Sequence, residues 1–135
     1  MDQKPEISQS PDVFHEAEGL VKKFSDAFDS IPQAKSAWDA SITDENGERT
    51  FGFKKGKYFY KVIDFSEHGP SIDISREKDF EEGDSETAVE EINIDVWTLE
   101  QGDENAITFD DQHGERVAGR KAVVKTQEFL AELQS

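Results

Sequence analysis

The stretch Arg49-Thr50-Phe51-Gly52-Phe53-Lys54-Lys55-Gly56-Lys57-Tyr58-Phe59-Tyr60-Lys61-Val62-Ile63-Asp64-Phe65 decides the fold. Phe51 and Phe53 alternate with smaller or polar neighbours at a period of two, Gly56 interrupts, and a run rich in aromatic and β-branched residues resumes at Tyr58, as paired strands require. Asn46-Gly47, just upstream, readily takes the positive φ angles of a tight hairpin turn. Before it, Trp38, Ala40 and Ile42 alternate with Asp39, Ser41 and Thr43. The expectation is a first strand over Trp38–Thr43, a second over Arg49–Lys54 folded back on it, and a third over Tyr58–Phe65. The third is apolar on both faces, which predicts a central position or a covered second face.

Downstream, His68-Gly69-Pro70 makes a break, and Ile72 and Ile74 alternate with Asp73 and Ser75 in a short fourth strand. The segment Lys78–Thr87 is acidic and has no clear period. Ile92, Ile94 and Val96 against Asn93, Asp95 and Trp97 predict a fifth strand, and Ile107 with Phe109 a sixth after the turn at Gly102–Asn105. Upstream, Val13, Phe14, Ala17, Leu20, Val21, Phe24, Ala27, Phe28 and Ile31 recur at steps of three and four, the stripe of an amphipathic helix. Ser10-Pro11-Asp12 reads as its start, and Pro32 as its end. Ala122, Thr126, Phe129, Leu130 and Leu133 predict a terminal helix from about Gly119. The fold class is α+β: a meander-like antiparallel sheet of five to six strands flanked by an N-terminal and a C-terminal helix. Residues 1–9 read as a flexible tail, 10–135 as a single domain, and no internal repeat is apparent.

The 135 residues suit one core. With no cysteine there is no disulfide framework, no thiolate nucleophile and no Cys-based zinc site. The N-terminus lacks the basic and apolar regions of a secretory signal, and no apolar run approaches the roughly 20 residues of a membrane span, so the expected location is cytoplasmic.

Reaction centres are not visible. His15, His68 and His113 lie in separate elements, with no pair at the i, i+4 spacing of a helical metal site. His15, beside the apolar stripe, is expected to be partly buried. Asp44-Glu45-Asn46-Gly47-Glu48 resembles a fragment of a calcium loop without its later glutamate, and hairpin chemistry explains it more simply. The serines lack a Gly-x-Ser-x-Gly context and no glycine-rich phosphate loop precedes a helix. The reading therefore assigns no catalytic residue, no metal and no cofactor.

Charge is the informative feature. The net charge is −16, from 31 acidic and 15 basic side chains, which repels nucleic acid and anionic membranes and attracts basic proteins. Between Arg49 and Lys61 the charged residues are Arg49, Lys54, Lys55, Lys57 and Lys61, with no acid among them; from Asp79 to Glu115 there are fourteen acids with no Lys or Arg. Interleaved aromatics in the basic stretch would suit single-stranded nucleic acid, but the net charge opposes that, and they are read as a core face.

The functional expectation is an acidic module that neutralises or inhibits a basic partner, in the manner of an immunity protein, an antitoxin or a phage-type inhibitor that mimics nucleic acid. The expected binding residues are Glu81, Glu82, Asp84, Glu86, Asp103 and Glu104 for electrostatic attraction. Tyr60 and Trp97, which stand opposite the faces assigned to the core, are the aromatic anchors. Two alternatives stand beside it. In size, acidity and helix-sheet-helix character the chain is similar to dimeric type III secretion chaperones, an architectural likeness without a motif, and it implies a homodimer. The other is a small-ligand protein or enzyme whose site is assembled by the fold under the sheet.

Overall fold

The computed structural model describes residues 9–65, 71–78 and 89–135, with side chains from Val13 onward. Helix α1, Gln9–Ser30, buries Val13, Ala17, Leu20, Phe24, Ala27 and Phe28 along the stripe read from the sequence. Ser10 stands inside this helix rather than before it. Ile31 is extended, with φ −93° and ψ 116°, and Pro32 occupies the first turn of a second helix, α2, Pro32–Ala40. Proline is suited there because its missing N–H has no helical acceptor to find. The strand expected over Trp38–Thr43 is therefore a correction. Ala34, Ala37 and Trp38 are spaced for one helical face, Trp38 packs edge-on against Phe51 at 5.5 Å, and Ile42, which a strand would bury, is 82% exposed.

Arg49 closes α2. Its Nη2 donates to the carbonyls of Trp38 (3.1 Å) and Ser41 (3.0 Å), its Nε donates to the Ser41 hydroxyl (2.7 Å), and the guanidinium lies 4.0 Å over the Trp38 ring. A cation at a helix C-terminus satisfies carbonyls that have no intrahelical partner.

Six strands follow: β1 Arg49–Lys55, β2 Tyr58–Asp64, β3 Ser71–Lys78, β4 Val89–Asp95, β5 Ile107–Asp110 and β6 Arg116–Ala118. They form one antiparallel sheet in the order β1-β2-β3-β4-β5-β6, a meander. Two expectations on the strands are corrected by position: the first strand is absent, and β6 was not foreseen. Val96 and Trp97 do not continue β4 either. Asp95 accepts from the Thr98 N–H (3.2 Å) and the Thr98 hydroxyl (2.8 Å), which caps a short helix, α3, Val96–Glu100. A 3₁₀ turn, Glu104–Ala106, leads into β5, and the chain ends in α4, Arg120–Gln134.

The helices lie on one side of the sheet. Phe51, Phe53, Tyr60, Val62, Ile72, Ile74, Ile92, Ile94, Ile107 and Phe109 point into the core with α1 and α4, where Phe24, Phe28 and Phe129 meet them. Ring centroids such as Phe28–Phe51 (5.6 Å), Phe53–Tyr60 (5.1 Å) and Tyr60–Phe129 (5.9 Å) show aromatic packing running from sheet to helix.

One buried cation interrupts this core. Arg76, 5% exposed, is held between the rings of Tyr58 and Phe129, 4.3 Å from each, and donates to Glu90 (2.6 Å) and Glu132 (2.8 Å).

A short repeat also emerges. Asp44-Glu45-Asn46-Gly47-Glu48-Arg49 and Asp111-Gln112-His113-Gly114-Glu115-Arg116 build the same turn at opposite edges of the sheet. In each, the aspartate accepts from the N–H groups two and four residues on, at 2.8 and 3.0 Å in the first and 2.8 and 2.9 Å in the second. The glycines have φ 82° and 81°, a region that side chains disfavour.

Candidate functional site

Among the described residues no helix covers the opposite face of the sheet, and its surface follows from the register. Side chains alternate across a strand, so once Ile72, Ile74, Ile92 and Ile94 face the core, Ser71, Asp73, Ser75 and Glu77 of β3 and Val89, Glu91, Asn93 and Asp95 of β4 must face outward. Cross-strand pairing sets Ser71 opposite Asp95, Asp73 opposite Asn93, Ser75 opposite Glu91 and Glu77 opposite Val89. Each of these four pairs joins one acid to one neutral residue. The carboxylates of Asp95, Asp73, Glu91 and Glu77 thus alternate between two strands and form a zigzag, avoiding the like-charge juxtaposition that destabilises directly opposed pairs.

This strip has unlike borders. On β5, Asp110 lies opposite Glu91 but is held by Arg116 of β6, with Nε to Oδ1 at 2.6 Å and Nη2 to Oδ2 at 2.9 Å. That bidentate pair offsets its charge. On the other side Lys61 of β2 pairs with Ser75. Beyond it, the half-exposed Phe59 ring reclines over β1, where a Cβ placed on Gly52 would come within 3.0 Å of it.

At one end the strip deepens into a concavity of about 290 Å³, lined by Phe65, Ser71, Asp73, Asn93, Asp95 and Ala106. Asp73 is half-buried there, and its pKa is pushed up to about 6, first by burial and then by the charges of Glu91, Glu48 and Asp95.

Of the residues expected to bind, Asp103 and Glu104 lie in the connection that returns the chain to β5. Asp103 is exposed and accepts from the Asn105 N–H at 3.0 Å, while Glu104 is half-buried against Gly119. Trp97 projects from α3 and is 60% exposed, while its neighbours Val96 and Leu99 are buried. Asp95 and Ala106, which bound the segment carrying these three, both line the concavity, so the segment adjoins that end of the strip. Glu81, Glu82, Asp84 and Glu86 lie outside the described residues.

Tyr60 requires correction as a surface anchor. It is 2% exposed, stacked on Phe53 under α4, and burial raises the pKa of its hydroxyl. The register that pairs Phe53 with Tyr60 and Phe51 with Val62 puts the even-numbered residues of β2 inward, opposite to the assignment made from sequence. His15 is likewise exposed rather than partly buried. Asp73, Glu77, Glu91 and Asp95 were missed as a group; their alternation along β3 and β4 was legible, but their convergence depends on cross-strand register.

Another crevice, of about 110 Å³, opens between α1, α2 and the sheet, lined chiefly by Phe28, Trp38, Phe51, Val62 and Ile72. Ligand pockets typically run from about 300 to 1,000 Å³, so it admits no more than a small apolar group. Among the described residues no three His, Asp or Glu side chains are grouped to hold a metal ion, and no helix is long and apolar enough to cross a membrane.

No protein-family model, no curated protein and no solved structure matches the chain.

Proposed function

We propose that the protein is an acidic binding module that docks on, and thereby neutralises, a basic protein. The observation that carries this reading is the segregation of the sheet: helices pack on one face, and among the described residues the other carries four carboxylates in line with no helix over them and no basic residue among them. Burial and mutual repulsion of these acids lift Asp73 to about 6, and a protein held together for stability alone has no use for that repulsion. A cationic partner relieves it. The net charge of −16 extends the same attraction beyond contact distance and would speed encounter with a basic partner while repelling nucleic acid. Trp97, exposed on the segment that adjoins the strip, supplies the kind of aromatic contact that interfaces concentrate.

The test is capture at low salt from a lysate of the host, elution by rising salt, and assay of the recovered protein's own activity with and without the module. A basic protein released by salt and inhibited at a one-to-one ratio is the expected result. Failure to hold any basic protein at low salt overturns the proposal.

A further inference from the structure

The zigzag of carboxylates has a spacing that selects among basic ligands. Successive rows on one face of an antiparallel sheet are two residues apart, about 6.8 Å along the strands. From Asp95 through Asp73 and Glu91 to Glu77 there are four rows and three such intervals, so the strip is about 20 Å long. Its width is that of one strand pair, about 5 Å. A chain in extended conformation presents every second side chain to one side at the same repeat of about 6.8 Å. An α-helix is about 10 Å across. Laid along the same line, it would overlap Lys61 on β2 and the Asp110–Arg116 pair on β5 and β6, which repel or ignore its basic side chains.

We propose that Asp95, Asp73, Glu91 and Glu77 form a docking track for an extended basic segment with Lys or Arg at every second residue. The proposal rests on the basic-partner reading above and deepens it by naming what the partner presents. One cation would enter the concavity of about 290 Å³ between Asp73 and Asp95, where Ser71 and Asn93 add polar groups and Phe65 and Ala106 cover an aliphatic stem. The following cations meet Glu91 and Glu77, while the intervening side chains point to solvent. Both oxygens of Asp95 also cap α3, so the track is anchored at that end by a carboxylate that the fold holds still.

The experiment compares three peptides of equal charge by fluorescence anisotropy at low salt. The first alternates four lysines with threonines. The second has the same composition with the lysines contiguous, and the third is an alanine-based helix with four lysines at i, i+4 spacing. The alternating peptide is expected to bind roughly tenfold tighter than the other two. The variant Asp73→Asn/Glu77→Gln/Glu91→Gln is expected to lose that advantage, whereas Glu18→Gln/Asp26→Asn/Glu128→Gln, with the same change of charge on the exposed helical side, keeps it. Circular dichroism and urea unfolding of both variants establish that they fold.

Equal affinity for the three peptides, tighter binding of the helical one, or equal loss in both variants overturns the track. Cytochrome c serves as the basic protein that separates the two claims. If it binds the wild-type protein while the peptides show no preference, the track fails and the basic-partner reading stands. If neither it nor any peptide binds at low salt, both fail.

Discussion

Arg76 of β3 reaches Glu132 of α4 at 2.8 Å, tying the sheet to the C-terminal helix through a guanidinium that is 5% exposed. The same group donates to Glu90 at 2.6 Å and is stacked between Tyr58 and Phe129. Desolvation opposes its charge, and the hydrogen bonds to Glu90, Tyr60 and Glu132 more than offset it, so its pKa lies above that of a free guanidinium. Cutting the side chain back leaves two rings unpacked and Glu90, 23% exposed, without its cation. Arg76→Ala should therefore destabilise the protein by about 3 kcal/mol in urea unfolding. Arg76→Met keeps the volume between the rings, and combined with Glu90→Gln it should cost under about 1 kcal/mol. Arg76→Lys should fall between them, because an ammonium neither stacks nor forks to two carboxylates.

Asp73 carries the pH dependence of the open face. Its folded pKa of about 6 exceeds the ordinary value of about 3.9. The folded state therefore holds a proton that the unfolded chain releases between these values, and stability falls as pH rises through this window. The cause is burial together with Glu91, Glu48 and Asp95. Asp73→Asn removes the penalty. At neutral pH it should stabilise the protein by about 1–2 kcal/mol after allowance for solvent screening, and near pH 4 it should change almost nothing. Chemical denaturation at the two pH values checks this, and an equal gain at both would mean that charge is not the origin.

The limits of reading this fold from sequence have local physical causes. The stripe from Val13 to Phe28 and the turn at Lys55–Tyr58 rest on local periodicity, and the structure keeps both. Trp38-Asp39-Ala40-Ser41-Ile42 satisfies a two-residue alternation, but Pro32 at a helix start and Arg49 at its end decide for α2. In Tyr58-Phe59-Tyr60-Lys61-Val62-Ile63 either parity offers apolar side chains. Only pairing with Phe51 and Phe53 on β1 shows which set faces inward. Arg116–Ala118 is too short for any period to show. The acidic strip was hardest to see, because its members come from two strands and meet only when Ile72 pairs with Ile94 and Ile74 with Ile92.

The twin turns offer a test of local structure at the two edges of the sheet. Gly47→Ala and Gly114→Ala should each cost about 1 kcal/mol, since both positions have φ above +80°, while asparagine at either site should cost less because it tolerates that region. In the second turn the N–H groups of Glu115 and His113 lower the pKa of Asp111. A depressed carboxyl contributes stability above its unfolded pKa and loses it as pH falls through the folded value. Carbon-detected NMR titration should show Asp111 ionising below the ordinary carboxylate range. Protection of the His113 and Glu115 amides, taken relative to the intrinsic exchange rate at each pH, should fall on acidification, and protection unchanged by Asp111→Ala would dismiss the turn as a source of order.

The two tryptophans report on different parts of the molecule. Trp38 is part-buried beneath Arg49 and beside Phe51, whereas Trp97 is 60% exposed on the segment next to the acidic strip. Trp97→Ala should leave stability within about 0.5 kcal/mol, while Leu99→Ala, two residues on and 4% exposed, should cost 2 kcal/mol or more. In a Trp38→Phe background the fluorescence of Trp97 is isolated. Relative to its quenching of free tryptophan, caesium should be favoured over iodide because Asp95, Glu100 and Asp103 lie close by in the chain, and added salt should narrow the difference. Titration with a basic protein should then shift the emission to the blue and slow quenching, as burial of the ring at an interface requires. Tight binding with an unchanged Trp97 spectrum would confine the contact to the sheet face and remove Trp97 as an anchor.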